Sequence, residues 1–314
     1  MTICSLLPSA TEILYALGLG DQVIGVSHEC HFPPEVNSKP RVVQSAIDQD
    51  RCSSEDIDRL VRDALQHRES LYRIDTELLR HLRPQLIVTQ DLCDVCAIDT
   101  GSVHDVLRSL PYRPTVLSLH PHTLSEALED IRILGSATGR LHEAARLIEQ
   151  LQARIHRVRQ RLKGVSRVPR VVCVEWLSPV MACGHWVPEL VELAGGHEAL
   201  GEAGKPSRVV PWEAVQRAQP DALILMPCGF LIDRTRRELD VLQRQPGWET
   251  LPAVQEGRVF LVNGPAYFNQ SGPRLIDGLE ILATLFHPER CQDVMIPEGA
   301  AERWRRYAVG ECRG

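Results

Sequence analysis

Short aliphatic and β-branched runs recur along this chain, and each is followed by a stretch with helical spacing, so strand and helix are expected in alternation. Ile3–Leu7 reads as the first strand. Pro8–Glu12 reads as a turn, with Ser9 at an N-cap and Glu12 at N3. Ile13, Leu14, Ala16 and Leu17 then form a short helix that Gly18 and Gly20 stop. Val23–Val26 is the next strand and leads to a turn at His28-Glu29-Cys30. Polar helical patterns cover Ser54–His67 and Asp75–His81, and strands over Leu86–Thr89 and Thr115–Leu119 flank a helix over Ser102–Leu110. Such a βα order implies a mainly parallel sheet.

The longest helical pattern follows. Leu141, Ala144, Ile148, Leu151, Ile155, Val158 and Leu162 recur at steps of three and four, with Arg, Glu, Gln and His on the other faces. A helix from about Arg140 to Lys163 would extend roughly 35 Å. Strand and helix alternation then resumes: Arg170–Trp176, a turn over Pro179–Trp186, a helix over Val187–Leu193 stopped at Gly195-Gly196, then strands Ala222–Met226 and Arg258–Val262 and a closing helix Pro273–Phe286. Arg83-Pro84-Gln85-Leu86-Ile87-Val88 is echoed by Gln219-Pro220-Asp221-Ala222-Leu223-Ile224, which points to two topologically related halves. The α/β reading is therefore two mainly parallel-sheet lobes: residues 1–120, a helical connection 121–165, a second lobe 166–290, and a peripheral tail 291–314.

Composition changes this picture little. With 314 residues, 44% of them hydrophobic, the chain can bury a large core, and a net charge of -6 provides no attraction for nucleic acid or an anionic membrane. No stretch is long and apolar enough to span a bilayer. Met1-Thr2 runs directly into a core strand without the pattern of an export signal, which leads to the expectation of a cytoplasmic protein. Ten cysteines in a reducing compartment would not form a disulfide framework, so some are core residues and others are candidates for metal or redox work.

Several of those thiols follow the ends of apolar runs: Cys30, Cys93, Cys96 and Cys228. Ligands of open α/β sheets bind beyond the carboxyl ends of the strands, so these thiols suggest one shared pocket. Cys93-x-x-Cys96 is half a tetrahedral site, and Cys30 and Cys228 could complete four thiolates for zinc or an iron–sulfur cluster. A redox dithiol at Cys93 and Cys96 and a set of reduced thiols lining a pocket stay open as alternatives. His28 and Glu29 could coordinate or hydrogen-bond a ligand, or simply occupy an exposed loop. His185 and Trp186, with Tyr267 and Phe268, place imidazole and flat apolar faces at further turns, where they could also be core anchors. Phosphate-cradling glycine motifs, a Gly-x-Ser-x-Gly elbow and a His-Glu-x-x-His helix are all absent. Nothing argues for a nucleophile–base pair, so catalysis stays open and binding is the favoured reading.

Ser5–Gly18 and Val23–Ser27, with Pro84–Thr89, Pro211-Trp212, Pro220–Leu225 and Pro273-Arg274, resemble the iron-siderophore and cobalamin periplasmic binding proteins over about residues 1–290. Ser27–Cys30, Leu92-Cys93-Asp94-Val95-Cys96 and Gly184–Glu189 are most similar to a cobalamin-binding branch. The resemblance implies two αβ lobes joined by one long helix, with a small-molecule ligand in the cleft between them. It implies a corrinoid ligand held by Ser9, Thr11, His28, Glu29, His185, Trp186, Phe230, Tyr267 and Phe268, beside a thiol-rich wall. The rival is a metalloprotein, which could be an enzyme, with zinc or an iron–sulfur cluster at Cys30, Cys93, Cys96 and Cys228. A homo-oligomer is compatible with either.

Overall fold

The computed structural model describes residues 1–67, 70–90, 106, 108 and 110–304. The chain divides into two compact units. Unit 1 holds Met1–Ala153 with Gln270–Pro273; unit 2 holds Arg154–Asn269 and the chain from Arg274 onward. The division falls within the helix Leu141–Arg161, close to the bounds expected for it.

Unit 1 is built on strands β1 (Ile3–Ser5), β2 (Val23–Ser27), β3 (Arg41–Ser45), β4 (Tyr72–Ile74), β5 (Leu86–Gln90) and β6 (Thr115–Leu119). Their order is β4-β3-β2-β1-β5-β6, parallel except for β4, which runs antiparallel to β3. Central strands covered on both faces read as unbroken apolar runs, which is why β1, β2 and β5 were visible in the sequence. β3 and β4 carry Arg41, Gln44 and Arg73, show no such run, and were missed.

The first helix spans Pro8–Ala16 and begins earlier than expected. Leu7 holds the cap position without a capping side chain, and Pro8 enters at the first turn, where its missing N–H leaves nothing unsatisfied. Ser9 is therefore not the cap, Glu12 is not at N3, and both side chains are buried. The helices Ser54–His67 and Thr76–Leu82 match their polar patterns, and Asp75 caps the second by accepting from Leu78 N at 2.9 Å. The helix expected over Ser102–Leu110 lies almost wholly outside the described residues.

Unit 2 is built on β7 (Arg170–Trp176), β8 (Met181–Ala182), β9 (His197–Glu198), β10 (Arg208–Val209), β11 (Ala222–Leu225), β12 (Val259–Val262) and β13 (Ala301–Arg303). The order is β10-β8-β7-β11-β12-β13, with β9 also pairing with β7. β7, β11 and β12 are mutually parallel, whereas β8, β10 and β13 run antiparallel to their neighbours. The stretch expected to be a peripheral tail contributes β13 to this sheet and buries Cys291. Arg154 ties the long helix to the helix Leu275–Phe286 through Asp277 (2.5 Å) and Glu280 (2.7 Å).

One edge of β7 is shared by two partners. β9 pairs in parallel with Arg170 and Val171, and β8 pairs antiparallel with Val174 and Trp176. Cys173 sits at the changeover, where neither strand offers an acceptor for its N–H. The Glu198 carboxylate takes it at 3.0 Å and also accepts from Leu200 N (3.0 Å) and Gly201 N (3.1 Å). A buried backbone donor must find a partner, and here a side chain provides it.

The echo between the two halves has a structural counterpart. Arg83 and Gln219 each close a helix (Thr76–Leu82 and Trp212–Ala218) in the left-handed region, at φ 48° and 45°, and the following proline leads into a buried strand. Left-handed caps are usually glycine, so two non-glycine examples before Pro84 and Pro220 make the match specific.

The helix Leu124–Thr138 opens with a capping box: Glu126 N donates to Thr123 Oγ1 at 3.2 Å, and Thr123 N donates to Glu126 Oε2 at 3.0 Å. Its inner face carries Leu124, Ala127, Ile131 and Leu134, and among them Asp130. Asp130 Oδ2 is buried without a partner among the described residues. Burial, with Glu126 and Glu129 nearby, lifts its carboxyl from 3.8 to about 7. Between those values the folded chain holds a proton that the unfolded chain releases, so this contribution is complete below the lower value and lost as pH rises through the upper one. Asp130→Asn is expected to raise stability at pH 8 by at most on the order of 4 kcal/mol and to change it little at pH 4. Urea unfolding of both proteins across that range checks this, and parallel pH profiles would refute it.

Candidate functional site

In unit 1 the exits of β1 and β2 are polar but mostly closed. Thr11 Oγ1 donates to Ser5 Oγ at 2.8 Å and lies 3.2 Å from Cys30 Sγ. Ser5, Thr11 and Cys30 are all essentially inaccessible. Arg41 Nη1 donates to the carbonyls of Ser27 (2.8 Å) and Cys30 (2.5 Å), fixing the turn after β2. Burial pushes the Cys30 thiol up to about 11. This side chain is an interior hydrogen-bond partner, in contact with Thr11 Oγ1 and the Ser5 carbonyl. Thr11 and Ser9, which were expected to touch a ligand, are buried as well.

His28 and Glu29 are the accessible part of that turn, with side-chain exposures of 23% and 31%. His28 Nδ1 lies 3.3 Å from Ser27 Oγ and Nε2 lies 3.3 Å from Glu29 Oε1, while its ring sits 5.6 Å from that of Tyr72. The hydrogen-bonding contact with His28 holds the Glu29 carboxyl below its usual value. Just beyond the turn, Phe32 is exposed.

In unit 2 the exits are organised by Glu175, a residue the sequence reading passed over. Its carboxylate accepts from Ser207 Oγ, from the Gly184 N–H and from Asn269, so it joins β7 to three separate loops. Burial raises its carboxyl above the ordinary range, and the three donors oppose that. A Cβ at Gly184 would run into the Lys205 carbonyl and Ser207 N, which explains the glycine in this turn. His185 follows at φ 51°, half-buried, and its N–H donates to the Lys205 carbonyl at 2.6 Å. An acid at the end of an apolar strand, Val174-Glu175-Trp176, was the available signal.

Three aromatic residues expected to face a ligand are core residues. Trp186, Phe230 and Phe268 are 5%, 2% and 0% exposed, and Trp186 Nε1 donates to the Phe268 carbonyl at 2.7 Å. Trp176, 5.1 Å from the Phe230 ring, is half-buried, as are Tyr267 and Cys228, and Leu231 is exposed. Arg274 lies over the Tyr267 ring at 5.7 Å.

The four-thiolate site is not assembled among the described residues. Cys93 and Cys96 lie outside them, Cys30 belongs to unit 1 and Cys228 to unit 2. The described residues contain one group of three side chains whose possible ligand atoms lie within 4.8 Å of one another: Cys173, Cys183 and Glu198. Neither zinc nor an iron–sulfur cluster is supported at the expected cysteines.

If Glu175 holds these loops, Glu175→Ala should destabilise the protein by roughly 2–4 kcal/mol, because the donors lose their acceptor in a poorly solvated place. Glu175→Gln, which keeps one acceptor oxygen, should cost less. Urea titration followed by tryptophan fluorescence checks the ranking; equal and small effects would show that the hub is not structural.

The sequence profile of the family described as "Periplasmic binding protein" matches residues 3–266. The substrate-binding lipoprotein YvrC of an ABC transporter in Bacillus subtilis is 25% identical over 91% of this chain and 80% of its own length. A vitamin B12-binding protein of Vibrio cholerae is 24% identical over 90% of this chain and 87% of its own length. Among solved structures, the periplasmic haem-binding protein RhuT of Roseiflexus sp. RS-1 has a TM-score of 0.68 at 22% identity, covering 92% of this chain and 98% of that one. The periplasmic vitamin B12-binding protein BtuF of Vibrio cholerae has a TM-score of 0.64 at 22% identity, covering 93% and 98%. These findings overturn the cytoplasmic expectation: the family is periplasmic and one relative is a lipoprotein, which points to a location outside the cytoplasm. Among the described residues no helix is long and apolar enough to cross a membrane. With two mainly parallel αβ units, and a profile that runs from the first strand to the loop after β12, the chain belongs to the periplasmic binding protein family.

Proposed function

We propose that this substrate-binding protein takes a corrinoid of the cobalamin type and hands it to an ABC importer. The observation that carries the reading is the match, along about nine-tenths of the chain, to relatives named vitamin B12-binding proteins. The loops beyond the strand ends support it chemically. A corrinoid is a broad, partly apolar disc fringed with amides around a metal that accepts nitrogen ligands. Unit 1 offers His28 and Glu29 beside exposed Phe32; unit 2 offers His185, Trp176 and Tyr267 with exposed Leu231. Imidazole and carboxylate suit the amide fringe or the metal, and the aromatic and aliphatic faces suit the disc. Thr11, Trp186, Phe230 and Phe268 support these loops from inside, and Ser9 is buried. The reading assigns the protein no catalytic step.

Calorimetric titration of the full chain with cyanocobalamin, with haem as a comparison arm, tests this. One corrinoid bound per chain in the micromolar range or tighter is expected. His185→Ala and Tyr267→Ala should each weaken binding by roughly tenfold, which corresponds to about 1.4 kcal/mol. Uptake of haem without uptake of cyanocobalamin would overturn the assignment.

A further inference from the structure

Cys173 and Cys183 stand directly opposite each other across the antiparallel pairing of β7 with the end of β8, next to the register pair Val174 and Ala182. Cys183 N donates to the Cys173 carbonyl at 3.1 Å, and their sulfur atoms fall within 4.8 Å of each other. Directly opposed residues of an antiparallel pair have Cα atoms about 4.5–5.5 Å apart, inside the range a disulfide spans. The third member of the group, Glu198, is already committed: its two oxygens accept three backbone N–H groups, so it is poorly placed to serve as a metal ligand. The space is tight as well, since a Cβ on Gly201 would sit 2.6 Å from Cys183 Sγ. A covalent S–S bond fits such a space better than an ion with its own shell of ligands.

We propose that Cys173 and Cys183 form a cross-strand disulfide when the chain folds outside the cytoplasm. The oxidant is a small-molecule or protein disulfide, R–S–S–R. One cysteine thiolate attacks it and releases R–S⁻, which takes up the proton that the cysteine lost. The second cysteine then displaces the other R–S⁻ in the same way. The products are one intramolecular disulfide and two R–SH. Cys173 and Cys183 are 0% and 1% exposed in the folded chain, so the exchange occurs before this part of the sheet closes, and the finished bond is shielded from reductants. The bond would lock the short β8 strand, and with it the turn that carries Gly184 and His185, onto β7. The proposal rests on strand register and sulfur proximity and does not depend on which ligand the protein takes.

The tryptic peptide 171–208 contains both cysteines and no other, which makes the test direct. The full chain is refolded with glutathione disulfide, denatured in iodoacetamide without reductant, and digested. The expected peptide is two hydrogens lighter than the dithiol and carries no alkyl group. Reduction during unfolding should lower the melting temperature by roughly 5 °C or more. A double variant, Cys173→Ala with Cys183→Ala, should melt at the same temperature with or without reductant, and its circular dichroism reports whether it has folded. Full alkylation of both cysteines, a disulfide from either to another cysteine, or one zinc ion per chain lost in the double variant would each overturn the proposal. If the double variant does not fold, the peptide mass of the wild-type chain still decides.

Discussion

A buried strand that changes partners partway along its edge leaves backbone donors facing no acceptor, and unit 2 depends on how β7 meets this constraint. Glu198 accepts the Cys173 N–H at the point where β9 gives way to β8. Two residues on, Glu175 gathers Ser207, Gly184 and Asn269 around the strand's end. An unmet buried donor costs about 1–3 kcal/mol, so two carboxylates holding six such groups outweigh many apolar contacts. Both acids are lifted above their ordinary range by burial, which is the electrostatic cost of using charge as internal scaffolding. The candidate binding loops of unit 2 are therefore tied to the sheet by hydrogen bonds rather than by apolar packing alone.

Much of the fold was legible because central strands of a mainly parallel sheet are apolar on both faces. β6 and β7 and the helix Val187–Leu193 agree with their expected bounds, and β5 and β11 differ by one residue at their ends. The elements that escaped are short, and most of them are polar. β8, β9 and β10 are two residues each, and β13 is a three-residue edge strand containing Glu302 and Arg303. Such strands are set by their neighbours' unpaired edges and not by their own hydrophobicity. The helix Leu124–Thr138 carried a readable start, Thr123-x-x-Glu126, but a polar first turn beside the longer pattern concealed it.

The candidate site was legible as a set of loops and illegible in the direction of its side chains. Ser27, His28, Glu29 and Cys30 are consecutive, yet Ser27 and Cys30 turn inward while His28 and Glu29 stay accessible. Period-two alternation lapses in a turn, so spacing could not separate them. Phe230 is buried and Leu231 exposed for the same reason: the backbone path after β11 decides which apolar residue the core receives. Glu175 was overlooked because it lies inside a run that otherwise reads as plain strand. The location was not legible in the opening residues and follows instead from the family to which the chain belongs.

That correction changes the meaning of the cysteines. In a reducing compartment a thiol can lie anywhere; outside it, an accessible pair risks random oxidation. Among the described cysteines, Cys4, Cys30, Cys173, Cys183 and Cys291 are buried. Burial pushes the thiols of Cys4 and Cys173 up to about 12 and that of Cys30 to about 11, which makes them poor nucleophiles in the folded chain. Cys4 packs in the core of unit 1, and Cys30 is occupied by Thr11 and Ser5. Thiols inert in the native state can still react during folding, while their strands are open. Cys173 and Cys183 stand apart because strand register sets them face to face, so that closing the sheet and bringing two sulfurs together are the same event.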